Sequence, residues 1–118
     1  MNKRAIGHKK EEIAVCFLKK QGVFILETNF QFHKMGEIDI IGRDGKYLTF
    51  IEVKYRKTAS AGHAAEAVNF KKIRQICKVA DAYRVLKHIS SSQNIRFDVI
   101  AIDGDDISWI KNAFPYAL

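Results

Sequence analysis

Cysteine is scarce in this 118-residue chain: Cys16 and Cys77 stand alone, with no Cys-x-x-Cys pair. That excludes a disulfide framework and suits reduced, partly buried thiols in a cytoplasmic protein. Long apolar runs are missing too. The stretch MNKRAIGHKKEEIAVCFLKK carries charge on both sides of a very short apolar run, so neither a signal-peptide core nor a twenty-residue membrane span is present. No internal repeat or low-complexity tract breaks the chain, and one domain over residues 1–118 is expected. His8, His33, His63 and His88 show no metal-ligand spacing and read as surface residues. Acidic residues are outnumbered, 13 against 20 Lys and Arg, leaving +7. Such an excess suits a polyanionic partner such as nucleic acid, although many basic proteins simply stay soluble this way. With 47% apolar and 28% charged residues the balance is globular rather than disordered.

The pattern predicts a helix from Gly7 to Gln21 with Gly22 as its stop, then a short strand from Val23 to Leu26. Met35 to Arg43 and Lys46 to Tyr55 read as two further strands joined by Asp44-Gly45, a type I′ hairpin signal. A loop from Arg56 to His63 leads to a helix from about Glu66 to Lys87, with Phe70, Ile73, Ile76, Cys77, Ala80 and Tyr83 facing inward. The polar SSSQN precedes a strand from Ile95 to Ile102, closed by Asp103-Gly104; Trp109, Phe114 and Tyr116 are expected to dock on the body. This order gives an α/β architecture, a central mixed β-sheet flanked by helices.

The hairpin carries charge among its apolar residues. If Arg43 pairs with Lys46, Asp39 lies opposite Phe50 and Glu37 opposite Glu52. Residues two apart on a strand share a face, so Glu37, Asp39, Glu52 and Lys54 project from one side. Ile38, Ile40, Tyr47, Thr49, Ile51 and Val53 form the other, a good core surface. The charged side also holds Ile41, Leu48 and Phe50, so the cluster is expected at the edge of a partly covered face.

Two carboxylates converging in a partly desolvated cleft repel, and a divalent cation relieves that repulsion. Oxygen ligands without His or Cys favour Mg²⁺ or Mn²⁺ over Zn²⁺. Lys54 on the same face is placed to orient an attacking water or to stabilise charge on a phosphate. These are the parts needed for phosphodiester hydrolysis. The bland alternative is that Glu52 and Lys54 form an exposed ion pair contributing at most about 1 kcal/mol.

The spacing D-x12-E-x-K, formed by Asp39, Glu52 and Lys54, resembles the signature of the PD-(D/E)XK nuclease superfamily. More closely, the chain resembles the YraN-like family of small bacterial endonuclease-like proteins. The resemblance rests on Gly36-Glu37-Ile38-Asp39 and Phe50-Ile51-Glu52-Val53-Lys54-Tyr55-Arg56. Glu11-Glu12-Ile13-Ala14 upstream, and Ala67-Val68, Lys72, Ala80, Tyr83 and Arg96-Phe97-Asp98-Val99 downstream, match in order. It implies a restriction-endonuclease-like fold and a single nuclease-like domain. It also implies Asp39 and Glu52 as metal ligands, Lys54 as the catalytic lysine and Glu11 as the helix carboxylate completing the site. The helical stripe Glu11, Ala14, Leu18 independently points Glu11 inward. The superfamily's proline before the aspartate is Ile38 here.

Around this constellation Glu37 reads as a supporting carboxylate. Lys72, at the edge of the second helix's buried stripe, reads equally as a phosphate contact or a snorkelling lysine. Arg56 and Lys57 enter the loop after the strand, well placed for nucleic acid. Lys71, Arg74, Lys78, Arg84 and Lys87 read first as a solvated helix face. Arg96 and Asp98 share a strand face and are expected to pair or to support the site. The leading expectation is a metal-dependent endonuclease acting on DNA, branched or flapped structures included. Its rivals are a nucleic-acid-binding protein of this fold with little or no cleavage, and a protein-interaction domain. Resolvase-like cutting of two strands would call for a two-fold homodimer.

Overall fold

The structure is a computed structural model that describes residues 3–56 and 69–117. Helix α1 (Lys3–Lys20) is followed by strands β1 (Phe24–Gln31), β2 (Glu37–Asp44) and β3 (Tyr47–Arg56). Helix α2 (Phe70–Leu86) precedes β4 (Ile95–Asp103) and β5 (Asp106–Ile110). The five strands lie side by side in chain order. Only β3 and β4 run parallel, so the sheet is mixed. The α/β arrangement is consistent with a restriction-endonuclease-like fold. Among the described residues no helix is long and apolar enough to cross a membrane.

The stop of α1 is chemical. Gly22 adopts φ +91°, and its N–H bonds the carbonyl of Lys19 while that of Val23 bonds Leu18. This pair of bonds is a Schellman cap, and Val23 packs in the same apolar cluster as Leu18. At α2 the cap is Asn69, whose side chain accepts the N–H of Lys72 at 2.9 Å, so the helix begins at Phe70. The expected start at Glu66 falls outside the described residues.

Alternation along β3 and β4 feeds two cores. Leu48, Phe50, Phe97, Val99 and Ala101 pack under α2 against Ile76, Val79, Ala80 and Tyr83. Ile51, Ile100 and Ile102 pack with Ile40 under α1, against Ala14 and Leu18. Strands covered on both faces read as near-continuous apolar runs, which is the pattern of YLTFIEV and IRFDVIAI. Truncating a side chain such as Phe50, fully buried here, would cost about 3–5 kcal/mol.

Four expectations are corrected. Strand β1 runs to Gln31 rather than Leu26, kinked by a register shift between Ile25 and Glu27. The segment after Gly104 turns back as β5, with Trp109 paired to Ile100; its five residues alternate too briefly to stand out from a tail. Phe114 does dock, 6% exposed, stacked on Phe97, while Tyr116 stays exposed and donates to Asp81 at 2.7 Å. Finally, the β2–β3 hairpin pairs Asp44 with Tyr47, not Arg43 with Lys46. Gly45 at φ +59° fills the first central position as a II′ turn requires, so the loop is Gly45-Lys46.

Candidate metal centre

That correction moves the register by two residues, which keeps the expected faces of the paired residues from Ile40↔Ile51 to the turn but changes their partners. Phe50 now faces Ile41 instead of Asp39. The β2–β3 pairs run from Asp44↔Tyr47 to Ile40↔Ile51, and Asp39 and Glu52 are the next residues outward. Beyond them the strands part company: β2 continues along β1 to Gln31↔Glu37, while β3 continues along β4 to Arg56↔Asp103. The candidate site is this fork. Alternation also breaks here, because Ile38 packs in the cluster under α2 and Ile40 in the cluster under α1. Ile38 therefore does not share the Ile40 face as the pattern implied, and Asp39 sits at the kink between them.

With no opposing carbonyl at the fork, the Asp39 carboxylate takes the bond: its Oδ2 accepts the backbone N–H of Val53 at 2.8 Å. Glu52, 5% exposed, lies near enough for its charge to act on both Asp39 and Glu11. Its Oε1 lies 3.4 Å from Lys54 Nζ and 3.7 Å from Lys72 Nζ. Its Oε2 is buried without a hydrogen-bond partner. Glu11 enters from α1, and its Oε1 is likewise buried and unpartnered. Carboxylate oxygens of Glu11, Glu37 and Asp39 lie within 4.8 Å of one another. Glu37 does not face Glu52 as expected; it pairs with Gln31 and turns toward Glu11.

The electrostatics follow from this crowding. Burial, then the charge of Glu52, pushes the Asp39 carboxyl up to about 8, and Glu11 and Glu37 add to the repulsion. Glu11 is raised by burial and then by Glu37, while His8 and a bond from the Asn29 side chain ease its ionisation. Two buried carboxylate oxygens without donors cost free energy that protein groups do not repay here. A divalent cation with oxygen preference fits such a donor set, which contains neither His nor Cys.

The structure brings Glu11, Glu37, Asp39, Glu52, Lys54 and Lys72 together. Arg56 ends β3, just past the fork, and Lys57 and His63 lie outside the described residues. Arg96 and Asp98 do not support the site. Asp98 pairs with Ile51 and points away from the Glu52 side, where it accepts two bonds from Arg96 Nε (2.8 and 3.1 Å) and one from Arg96 Nη2 (2.8 Å). Sequence reasoning passed over Asn29, which reaches Glu11 from a left-handed backbone (φ +54°). It also passed over Gln75. The Gln75 amide bonds Met35 O at 2.9 Å and packs where a Cβ on Gly36 (φ +136°) would stand, 2.6 Å from Nε2. An Asn in a strand and a helical Gln offer no pattern that would have singled them out.

The UPF0102 protein of Acetivibrio thermocellus is 44% identical to this chain, covering 96% of it and 93% of the relative. The UPF0102 protein of Fusobacterium nucleatum is 46% identical over 95% of this chain and 92% of its own length. The UPF0102 protein of Vibrio campbellii is 45% identical over 95% and 93%. A family model matches residues 10–102, a span that takes in the fork, the C-terminal part of α1, all of α2 and all but the last residue of β4. On this match and these identities the chain belongs to the uncharacterised protein family UPF0102, the YraN-like family.

Proposed function

We propose that the protein is a Mg²⁺- or Mn²⁺-dependent endonuclease of PD-(D/E)XK type that hydrolyses phosphodiester bonds in DNA, branched or flapped structures included. The observation that carries this reading is the fork itself. Asp39 and Glu52 stand side by side where two strands separate, with an unpartnered buried carboxylate oxygen on Glu52 and an amine 3.4 Å from its other oxygen. Asp39, Glu52 and Glu11 would hold the cation, and Glu37 lies close enough to Asp39 to support them. When bound, a cation of this class polarises the phosphate and lowers the pKa of a coordinated water.

The chain's own groups do the rest. Val53 N–H fixes one Asp39 oxygen, which leaves the other to turn outward. Lys54 is tethered to Glu52 at the mouth of the site, placed to orient the attacking water or to steady charge on the scissile phosphate. Lys72 leans on the same oxygen from α2 and would hold a neighbouring phosphate, as would Arg56 from the end of β3.

The test uses a panel of duplex, flap, junction and single-stranded DNA. Wild type should cut at least one member in Mg²⁺ and none in EDTA. Lys54→Ala should lower cleavage by about 10²–10⁴-fold, the contribution of a positioned proton-transfer group, while leaving salt-sensitive binding intact. Anomalous diffraction from Mn²⁺-soaked crystals should place the ion between Asp39 and Glu52. The rival, a nucleic-acid-binding protein with little cleavage, has one observation of its own. Lys54 and Lys72 both lean on Glu52 Oε1 and partly neutralise it without any metal. Binding without cleavage of any substrate by pure wild type, in Mg²⁺ or Mn²⁺, would select it.

A further inference from the structure

Helical periodicity counts Phe70 in the inward stripe of α2, yet its side chain is 66% exposed. Leaving most of an aromatic ring in water forgoes the gain of burying it, so the position invites a reason. Phe70 is not an isolated apolar residue. With the half-exposed Met35 it lines a groove of about 670 Å³ along α2. Every charged residue lining that groove, among the described residues, is positive: Lys71, Lys72, Arg74 and Lys78. The Arg74 guanidinium stands 5.9 Å from the centre of the Phe70 ring. Lys72 belongs both to this groove and to the carboxylate cluster, so the two are continuous.

We infer that the groove seats an unpaired stretch of polynucleotide, one base stacked on Phe70 and the neighbouring phosphates held by Lys71, Arg74 and Lys78. Lys71, Arg74 and Lys78, in a groove lined by no acid among the described residues, complement a polyanion, and the aromatic ring selects among polyanions. A base in a duplex is already stacked on its neighbours, and its π-face is closed to a protein ring; a single strand offers that face at every nucleotide. An acidic peptide would satisfy the cations and leave the ring without a use. The inference rests on the endonuclease reading for one point, that the Lys72 end of the groove is where a phosphate is cut. It adds that the strand reaches this point from a single-stranded side.

The experiment is fluorescence anisotropy of a short labelled oligo(dT), and of a blunt duplex of the same length, with the full chain in EDTA. Wild type should prefer oligo(dT). Phe70→Ala should weaken oligo(dT) binding about tenfold, within the range of one lost base stack, and duplex binding by less than about twofold. Phe70→Trp should bind at least as tightly as wild type. Phe70→Leu keeps apolar bulk without a π-face and should lose affinity as Phe70→Ala does. Lys71→Ala should lower the salt slope for oligo(dT) by about 0.7. A wild-type preference for duplex, equal losses on both ligands, or Phe70→Leu binding like wild type would overturn the inference. So would polyglutamate bound as tightly as oligo(dT). EDTA removes cleavage from the readout, so a wild type that cuts nothing leaves these outcomes standing. Normal cleavage with an indifferent Phe70→Ala would overturn the platform alone.

Discussion

Asp39 holds its proton to about pH 8 because burial and three neighbouring carboxylates oppose its charge. In the unfolded chain the same group titrates near 3.8. Between these values the folded state binds more protons than the unfolded one, so stability falls as pH rises from about 4 and the loss is complete above about 8. Glu11 is raised in the same sense. Asp44 acts at the other end: its bond from Arg96 lowers its pKa, and the stability this gives is lost in acid. The metal-free protein should therefore show its highest melting temperature in mildly acidic buffer. Asp39→Asn should flatten the alkaline limb and raise the melting temperature at pH 8, by roughly 4 °C for each kcal/mol relieved. Mn²⁺ should raise it more at pH 8 than at pH 5.5, because protons compete for the same oxygens. Differential scanning calorimetry across that range, with and without Mn²⁺, checks all three.

At the scale of elements, the hairpin β4–β5 is fastened by one fully buried carboxylate. Asp98 receives Arg96, the Trp109 indole N–H at 3.1 Å and the Asn112 backbone N–H at 2.9 Å, and Arg96 reaches on to Asp44 at 2.8 Å. Removing one partner from a buried pair strands the other charge. Asp98→Ala should cost about 3–5 kcal/mol in urea unfolding. Its cleavage per folded molecule, measured cold, should stay near wild type, because the network lies on the face opposite Glu52; a loss matching that of Lys54→Ala would place it in the site after all. This pairing was legible in R-F-D, where two charges alternate with an apolar residue. Its Trp109 and Asn112 contacts were not, because they depend on a turn at Gly104 that brings distant residues together. The fork is similar. D-x12-E-x-K named Asp39, Glu52 and Lys54, and the two-residue shift to a Gly45-Lys46 turn preserved parity as far as Ile40↔Ile51. What parity could not anticipate is that the ladder ends at Ile40↔Ile51.

Over the whole molecule, the charge of +7 is unevenly placed, with four cations lining one groove beside an acidic fork. Binding of any nucleic acid should then release counterions. With four phosphate contacts, single-strand affinity should fall about fiftyfold between 50 and 200 mM salt. Affinity indifferent to salt in a filter-binding titration would count against both the nuclease and the binding reading. The groove itself was hidden from the sequence. Helical periodicity reports which residues share a stripe, and Phe70 shares one with Ile73 and Ile76, but only neighbouring elements decide where along a helix that stripe is covered.

What the sequence determined by itself is local: helix and strand order as far as β4, the Gly22 stop, the inward Glu11 stripe and the acid–acid–amine spacing, all consequences of backbone period and turn chemistry. What only the tertiary structure decided is which of these surfaces meet. The separation of β2 from β3 turns two strand carboxylates into a shared pocket. The packing of α1 brings Glu11 to the carboxylates of Glu37 and Asp39 on β2. Phe70, at the start of α2, is left in water while Ile76 on the same stripe is buried. Each is set by contacts between residues far apart in the chain, where no short-range pattern carries the information.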